Sequence, residues 1–211
     1  MTTTPDALES PRSPDPDGPS TARPRVVYRT ATTLNGLIAG PGDSLAWLFA
    51  VASTAEPDHQ EFLDGVGAIV MGATTYAWIL RETDVLSDAE LWREYHGERP
   101  VFVFTHGTPP VPDGADVRIV AGAVGDAFAA VAAAADGRAV WVVGGGELAG
   151  QFDDAALLDE IQITVAPASL AAGAPLLPRD LGPDRLHLHD VTRFDRFVHL
   201  TYRVTPAPRL P

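Results

Sequence analysis

The apolar run AVWVV (residues 139–143) passes directly into Gly144-Gly145-Gly146 and then into the helical pattern ELAGQF (residues 147–152). No other stretch constrains the fold as much. Apolar β-formers that end on glycines and reopen as a helix form a strand–turn–helix unit. Glycine has no Cβ, so the backbone turns sharply there and lets a pyrophosphate approach its N–H groups. The helix N-terminus adds about half a positive charge, which suits an anion. A purely structural turn is the alternative, although one glycine would serve it. Gly144, Gly146 and Ala149 also fit the G-x-G-x-x-G/A spacing of dinucleotide-binding turns. A Rossmann domain, however, puts that turn after its first strand and an acid at the end of its second. Here the turn follows roughly the fifth strand, and Asp159 and Glu160 stand at the start of the next one. The residues therefore disfavour a Rossmann fold and keep phosphate cradling.

The same alternation runs along the chain. Strands are expected at residues 25–33, 66–71, 101–104, 117–120, 139–143 and 160–166. Helices are expected at 57–64, from Gly72 through ATTYAWILRE, at 124–135 and at 147–158. The continuous apolar run VGAIVM (66–71) suits a strand buried on both faces. Repeated strand–helix–strand spacing predicts an α/β fold, a mostly parallel sheet with helices on both faces. Residues 185–191 and 197–204 instead alternate apolar and polar side chains and predict an antiparallel C-terminal hairpin. The first 24 residues hold six of the 19 prolines and almost nothing to bury, so they read as a disordered tail. The domain is expected over residues 25–206, with a frayed end at 207–211.

What is missing narrows the chemistry. The 211 residues contain no cysteine and no lysine. That removes thiol nucleophiles, thiolate metal sites, a Walker-type phosphate loop and a lysine Schiff base. None of the seven serines sits in G-x-S-x-G, the turn of a serine hydrolase. A net charge of −13 argues against a nucleic-acid partner, and no apolar run spans a bilayer. The N-terminus lacks a basic start followed by an apolar stretch, so a cytoplasmic location is expected.

Four stretches together resemble the dihydrofolate reductase family, in the broad sense that includes the reductase domain of bacterial riboflavin biosynthesis. They are Thr32–Gly40 (TTLNGLIAG), Val70–Tyr76 (VMGATTY), Gly144–Phe152 (GGGELAGQF) and Asp159–Thr164 (DEIQIT). The likeness spans about residues 25–205. It implies a three-layer fold and an NADPH-dependent reductase (NADH possible) acting on a pteridine, pyrimidine or related C=N/C=O compound. Dihydrofolate reductase and 5-amino-6-(5-phosphoribosylamino)uracil reductase are the models for that activity. The resemblance implies that Ile38 and Ala39 pack by the nicotinamide. Gly72, Thr74 and Thr75 would meet the phosphates and Thr105 would join the cofactor contacts. Gly144, Gly145, Gly146, Glu147 and Leu148 would hold the pyrophosphate, and Gln151 would lie near the adenine. It also implies a homodimer, which apolar strand edges permit. Ala73 departs from the family's usual Arg, a partner for the 2′-phosphate of NADPH, for which Arg81 or Arg99 would have to substitute. Gly144, Leu37 and Asn35 depart from the Glu, Lys and Asp common in riboflavin reductases.

Hydride transfer to C=N needs a proton on nitrogen. The resemblance places the donating carboxyl on the first helix, where Asp58 fits by its distance to Met71-Gly72 and Glu61 lies one turn on. Acids in a first helical turn also complement its dipole while facing water. Thr164, a hydroxyl among apolar strand residues, must find a partner and is placed against the substrate, with a backbone partner as the alternative. Trp47, Leu48 and Phe49 read as core or pocket wall. His187 and His189 alternate on one strand and His199 lies on its mate, a spacing that also suits a zinc ion or a merely polar face. Two further functions stay open: a non-catalytic ligand-binding module on the same fold, and a zinc hydrolase.

Overall fold

The structure, a computed structural model, describes residues 23–55 and 57–206. Most of the expected tail and all of the expected frayed end lie outside the described residues. Ten strands and six helices follow one another as β1 (Val26–Thr33), β2 (Leu37–Ala39), α1 (Ala46–Phe49), α2 (His59–Asp64) and β3 (Val66–Gly72). Then come α3 (Ala73–Glu82), α4 (Ala89–His96), β4 (Val101–Phe104), β5 (Val117–Val120), α5 (Val124–Ala134) and β6 (Ala139–Gly144). The chain closes with α6 (Gly146–Asp154), β7 (Glu160–Ala166), β8 (Ala174–Pro175), β9 (Leu186–Phe194) and β10 (Phe197–Val204).

Eight strands form one sheet in the order β5-β4-β3-β6-β1-β7-β10-β9. Strands β5 to β7 are parallel, while β10 runs against both β7 and β9. This is the expected mixed sheet with an antiparallel C-terminal hairpin. The apolar runs of β3 and β6 sit in its centre, where helices cover both faces. On one face Val70, Val140 and Val142 pack under Phe128 and Val131 of α5 and Phe152 of α6. On the other, Ile69, Met71 and Val103 meet Phe62 of α2, Tyr76 of α3 and Trp92 of α4. Tyr76 and Trp92 meet edge to face, 6.0 Å apart.

Two approaches are close enough to demand glycine. A Cβ on Gly67 of β3 would stand 1.9 Å from the carbonyl oxygen of Ala135, where α5 ends against the sheet. One on Gly146 would stand 2.3 Å from the Leu176 carbonyl oxygen and 2.4 Å from that of Pro175. The last of the three glycines thus seats α6 against the β8 segment. β8 in turn pairs with β2, and together they form a small second sheet beside the first.

Asp159 gathers the two ends of the domain at the N-terminal edge of the sheet. Its carboxylate accepts from the Val26 N–H at 2.8 Å and from the Arg23 guanidinium, and its carbonyl accepts from the Val204 N–H. Arg23 and Pro24, assigned to the tail by composition, are therefore part of the fold. Nearby, Arg185 and Asp153 form a largely buried ion pair.

Several elements differ from the sequence reading: the short α1, β2 and β8 were not expected, and β9 runs on to Phe194. Helix α4 was not expected. Its signals are Asp88, which accepts from the Glu90 N–H as N-cap, Trp92 and His96 one turn apart facing inward, and Gly97 at the C-cap with φ +64°. Helix α2 starts at His59 with Asp58 as its cap, later than residue 57. Helix α6 ends at Asp154, short of the expected 158, because Ala156 adopts φ +55° and Leu157 and Leu158 turn into the core. On the C-terminal hairpin, Leu188, Val191 and Val198 remain exposed.

Candidate active site

A cavity of about 1310 Å³ opens across the C-terminal ends of the parallel strands. Gly72 closes β3, Phe104 closes β4, Val120 closes β5 and Gly144 closes β6 along its floor. This is where open α/β sheets collect ligands, because the helices that follow each strand start there. Helix α3 begins at Ala73 with Gly72 as N-cap, and α6 begins at Gly146 with Gly145 as N-cap. Neither cap residue offers a side chain to the first-turn N–H groups. Two helix N-termini therefore point unsatisfied donors and positive dipole ends into one end of the cavity. Thr75 brings its Oγ1 to 3.3 Å from the position a Cβ on Gly144 would take.

All twelve residues that the family resemblance assigns to the cofactor border this cavity. Ile38 and Ala39 come from β2, Gly72, Thr74 and Thr75 from the β3–α3 junction, and Thr105 from the end of β4. Gly144, Gly145, Gly146, Glu147, Leu148 and Gln151 come from the β6–α6 junction. Thr105 accepts from the Gly107 N–H at 3.0 Å, which sets the turn after β4. Glu147 is gripped by Arg179 through both terminal nitrogens, and that hydrogen-bonded guanidinium holds the carboxyl below its ordinary pKa.

The residues assigned to chemistry fall elsewhere. Asp58 is exposed and accepts from the Glu61 N–H at 3.0 Å, so its carboxylate caps α2. Glu61 is an exposed residue in the first turn of the same helix. Both carboxylates act on the Arg29 guanidinium, which lies 4.2 Å from the Phe62 ring. Neither borders the cavity; His59, between them, does. Thr164 Oγ1 lies 2.9 Å from His199 Nδ1, across the β7–β10 pair and away from the cavity lining. Of the stand-ins for the arginine missing at Ala73, Arg99 spends its donors on the carbonyl oxygens of Val66, His96 and Leu63. Arg81 pairs with Glu82.

The three histidines of the hairpin have separate partners: Thr205 for His187, Arg203 for His189 and Thr164 for His199. Among the described residues no group of three or more His, Asp or Glu side chains could hold a metal ion.

Sequence reasoning missed the other half of the cavity. Phe49, Trp78, Tyr95 and Trp141 line it, with His59, His96 and the carboxylates of Asp43 and Glu82. Phe49, expected as core or pocket wall, is wall: it is 72% exposed and stacks on Trp78 with centroids 6.4 Å apart. A large exposed aromatic beside three others was the readable signal, but only the fold brings residues 49, 78, 95 and 141 together.

His96 is buried, stacks on Trp92 at 4.1 Å, and donates from Nδ1 to the Trp92 carbonyl. Burial pushes its pKa down to about 4. Its folded value lies below the unfolded one, near 6.5, so its contribution to stability is complete above that pH and lost on acidification. Between about pH 6.5 and pH 4 this single group is expected to cost roughly 3 kcal/mol. Melting temperature measured across that window should fall, and His96→Phe, which keeps a ring on Trp92, should flatten the slope.

The family model of the RibD C-terminal domain matches residues 24–200. The chain belongs to this family. YwjB of Bacillus subtilis (strain 168), an uncharacterised protein, is 28% identical over 178 residues, 84% of this chain and 97% of YwjB. A crystal structure from Shewanella sp. PV-4, described as a candidate riboflavin biosynthesis protein, superposes with a TM-score of 0.68 at 26% identity. The match covers 86% of this chain and 99% of that one. Dihydrofolate reductase from Enterococcus faecalis, in complex with NADP(H), shares the fold with a TM-score of 0.57 at 15% identity, covering 85% and 96%. This member of the RibD C-terminal domain family thus has a dihydrofolate-reductase-like fold.

Proposed function

We propose that this RibD-domain protein is a reductase that moves hydride from a reduced nicotinamide dinucleotide to a C=N or C=O bond of a planar small molecule of pteridine or pyrimidine type. The observation that carries the reading is the pair of uncapped helix N-termini, α3 and α6, meeting at the glycine turn in one end of a cavity large enough for two ligands. That end suits a pyrophosphate: backbone N–H groups of both helices and the hydroxyls of Thr74 and Thr75 supply donors, and Gly145 leaves room for close approach. NADPH is the form the family resemblance implies, and NADH is the alternative. The bound dinucleotide would supply the hydride. Ile38 and Ala39 would cover the ring that carries it, and the aromatic wall would exclude water from the transfer.

Binding to the folded state alone raises stability by mass action, roughly 2.7 kcal/mol at a hundredfold excess over Kd. For a chain of this size that is a rise of about 5–10 °C in melting temperature. NADPH or NADH is expected to produce it. No shift with either, at millimolar concentration, sinks the reading.

A second reading has one observation in its favour. Asp58 and Glu61, the expected proton donors, lie outside the cavity, as a binding module without turnover would allow. Consumption of NADPH or NADH in the presence of pteridines, pyrimidines and quinones separates the two. Dinucleotide binding without consumption across that panel favours the module.

A further inference from the structure

The cavity is electrically polarised along helix α3. This helix has ten residues, a length of about 15 Å, and contributes Ala73 at one end of the wall and Glu82 at the other. Its positive N-terminus faces the glycine turn together with that of α6. Its negative C-terminus, at Glu82 and Thr83, faces the aromatic half. Helix α4 ends there too, through Tyr95 and His96. Asp43 and Glu82 add carboxylates to that half.

No arginine among the described residues lines the cavity, and the chain has no lysine. Arginines around it have other partners: Arg81 pairs with Glu82, Arg99 with three carbonyl oxygens, Arg179 with Glu147 and Asp154, and Arg29 lies over the Phe62 ring, outside the lining, in the field of Asp58 and Glu61. His96 is kept neutral by its burial. A phosphate monoester entering the aromatic half would therefore lose its hydration, meet the Asp43 carboxylate and the C-terminus of α3 beside a Glu82 already paired with Arg81 and an α4 end already held by Arg99, and find no free guanidinium in return. A flat ring, by contrast, finds Phe49 and Trp78 already stacked, with Tyr95 and Trp141 on the same wall.

We propose that the aromatic half takes a planar heterocycle without a phosphate group, neutral or cationic, and rejects the phosphorylated form of the same ring. This rests on the reductase reading and sets the substrate apart from the phosphoribosyl pyrimidine that the family resemblance implies. The substrate is a base, a nucleoside-like compound or a protonated heteroaromatic amine.

Riboflavin and FMN make a direct probe, because they share one ring system and differ by a single phosphate. Flavin fluorescence, titrated with the full-length protein at low ionic strength, reads binding without any turnover. Riboflavin is expected to bind at least tenfold tighter than FMN. The double variant Asp43→Asn/Glu82→Gln is expected to narrow that ratio at least threefold, mainly by improving FMN. Equal or tighter FMN binding overturns the proposal, as does a ratio unmoved by the double variant. Failure of both flavins to bind also overturns it, since the four rings would then be no platform for such a heterocycle. Calorimetry with NADPH and NADH runs alongside: loss of dinucleotide binding sinks the reductase reading, whereas dinucleotide binding with a preference for FMN sinks the present inference alone.

Discussion

Thr74→Asp is expected to weaken dinucleotide binding about 100-fold while leaving the protein as stable as before, or slightly more so. The two effects have opposite signs because one position serves two purposes. Thr74 is an exposed residue in the first turn of α3 and borders the cavity. An acid there complements the helix dipole and is worth about 0.3–1 kcal/mol to the fold. The same carboxylate would occupy the place where the helix offers its N–H groups to a pyrophosphate. Two like charges about 5 Å apart repel by about 3 kcal/mol at an effective dielectric near 20. That converts to about two orders of magnitude in Kd. Calorimetry with NADPH and NADH, beside a melting curve, reads both quantities. Thr74→Ser should stay within a few fold of the parent. Unchanged affinity in a folded Thr74→Asp protein would mean that the α3 terminus holds no anion.

Gly67→Ala is expected to be among the costliest methyl additions at the described glycines. The new carbon would have to share space with the Ala135 carbonyl, and a backbone carbonyl cannot swing aside as a side chain does. Helix α5 would have to lift off β3, taking Val131 and Phe128 with it. Overpacking of a core costs typically 1–3 kcal/mol, and a clash with backbone belongs at the upper end. A loss of about 3 kcal/mol lowers the melting temperature of a chain this size by roughly 10 °C. Gly125→Ala is the matched control. It lies within α5 with nothing within 4 Å of the added carbon, and should gain up to about 1 kcal/mol. If both variants melt alike, the contact between α5 and β3 is not what the geometry says.

The sheet and the glycine-turn end of the cavity were legible because they rest on contiguous stretches of sequence. Runs such as VGAIVM and AVWVV can be satisfied only between two layers, and glycines at a strand end mark a helix start. Eleven of the twelve residues that the resemblance assigned there came from contiguous motifs, so a short window held each group together, while Thr105 lies outside them. The aromatic end was hidden because its members come from four unconnected elements. Phe49 sits on a four-residue helix, and Tyr95 on a helix whose Asp88 cap and Trp92–His96 spacing were readable but unread. Asp58 shows the limit from the other side. Its position suited both a proton donor and an acid that complements the helix dipole, and the structure sets it outside the cavity lining, accepting from the Glu61 N–H at the cap of α2. The three consecutive glycines looked like one feature, yet Gly146 meets the 175–176 backbone while Gly145 has only Ile38 near it, at 4.0 Å. Spacing alone could not separate those tasks.

Asp159 ties the entering strand and the departing one to a single point on the far side of the sheet from the cavity mouth. A reporter, bead or second enzyme joined ahead of Arg23 or beyond Pro206 would start from that far side. Immobilisation through Arg23 or Pro206 should leave small molecules free to come and go. The short gap between the two ends also makes this domain a natural insert for a loop of another protein, with its binding chamber facing outward.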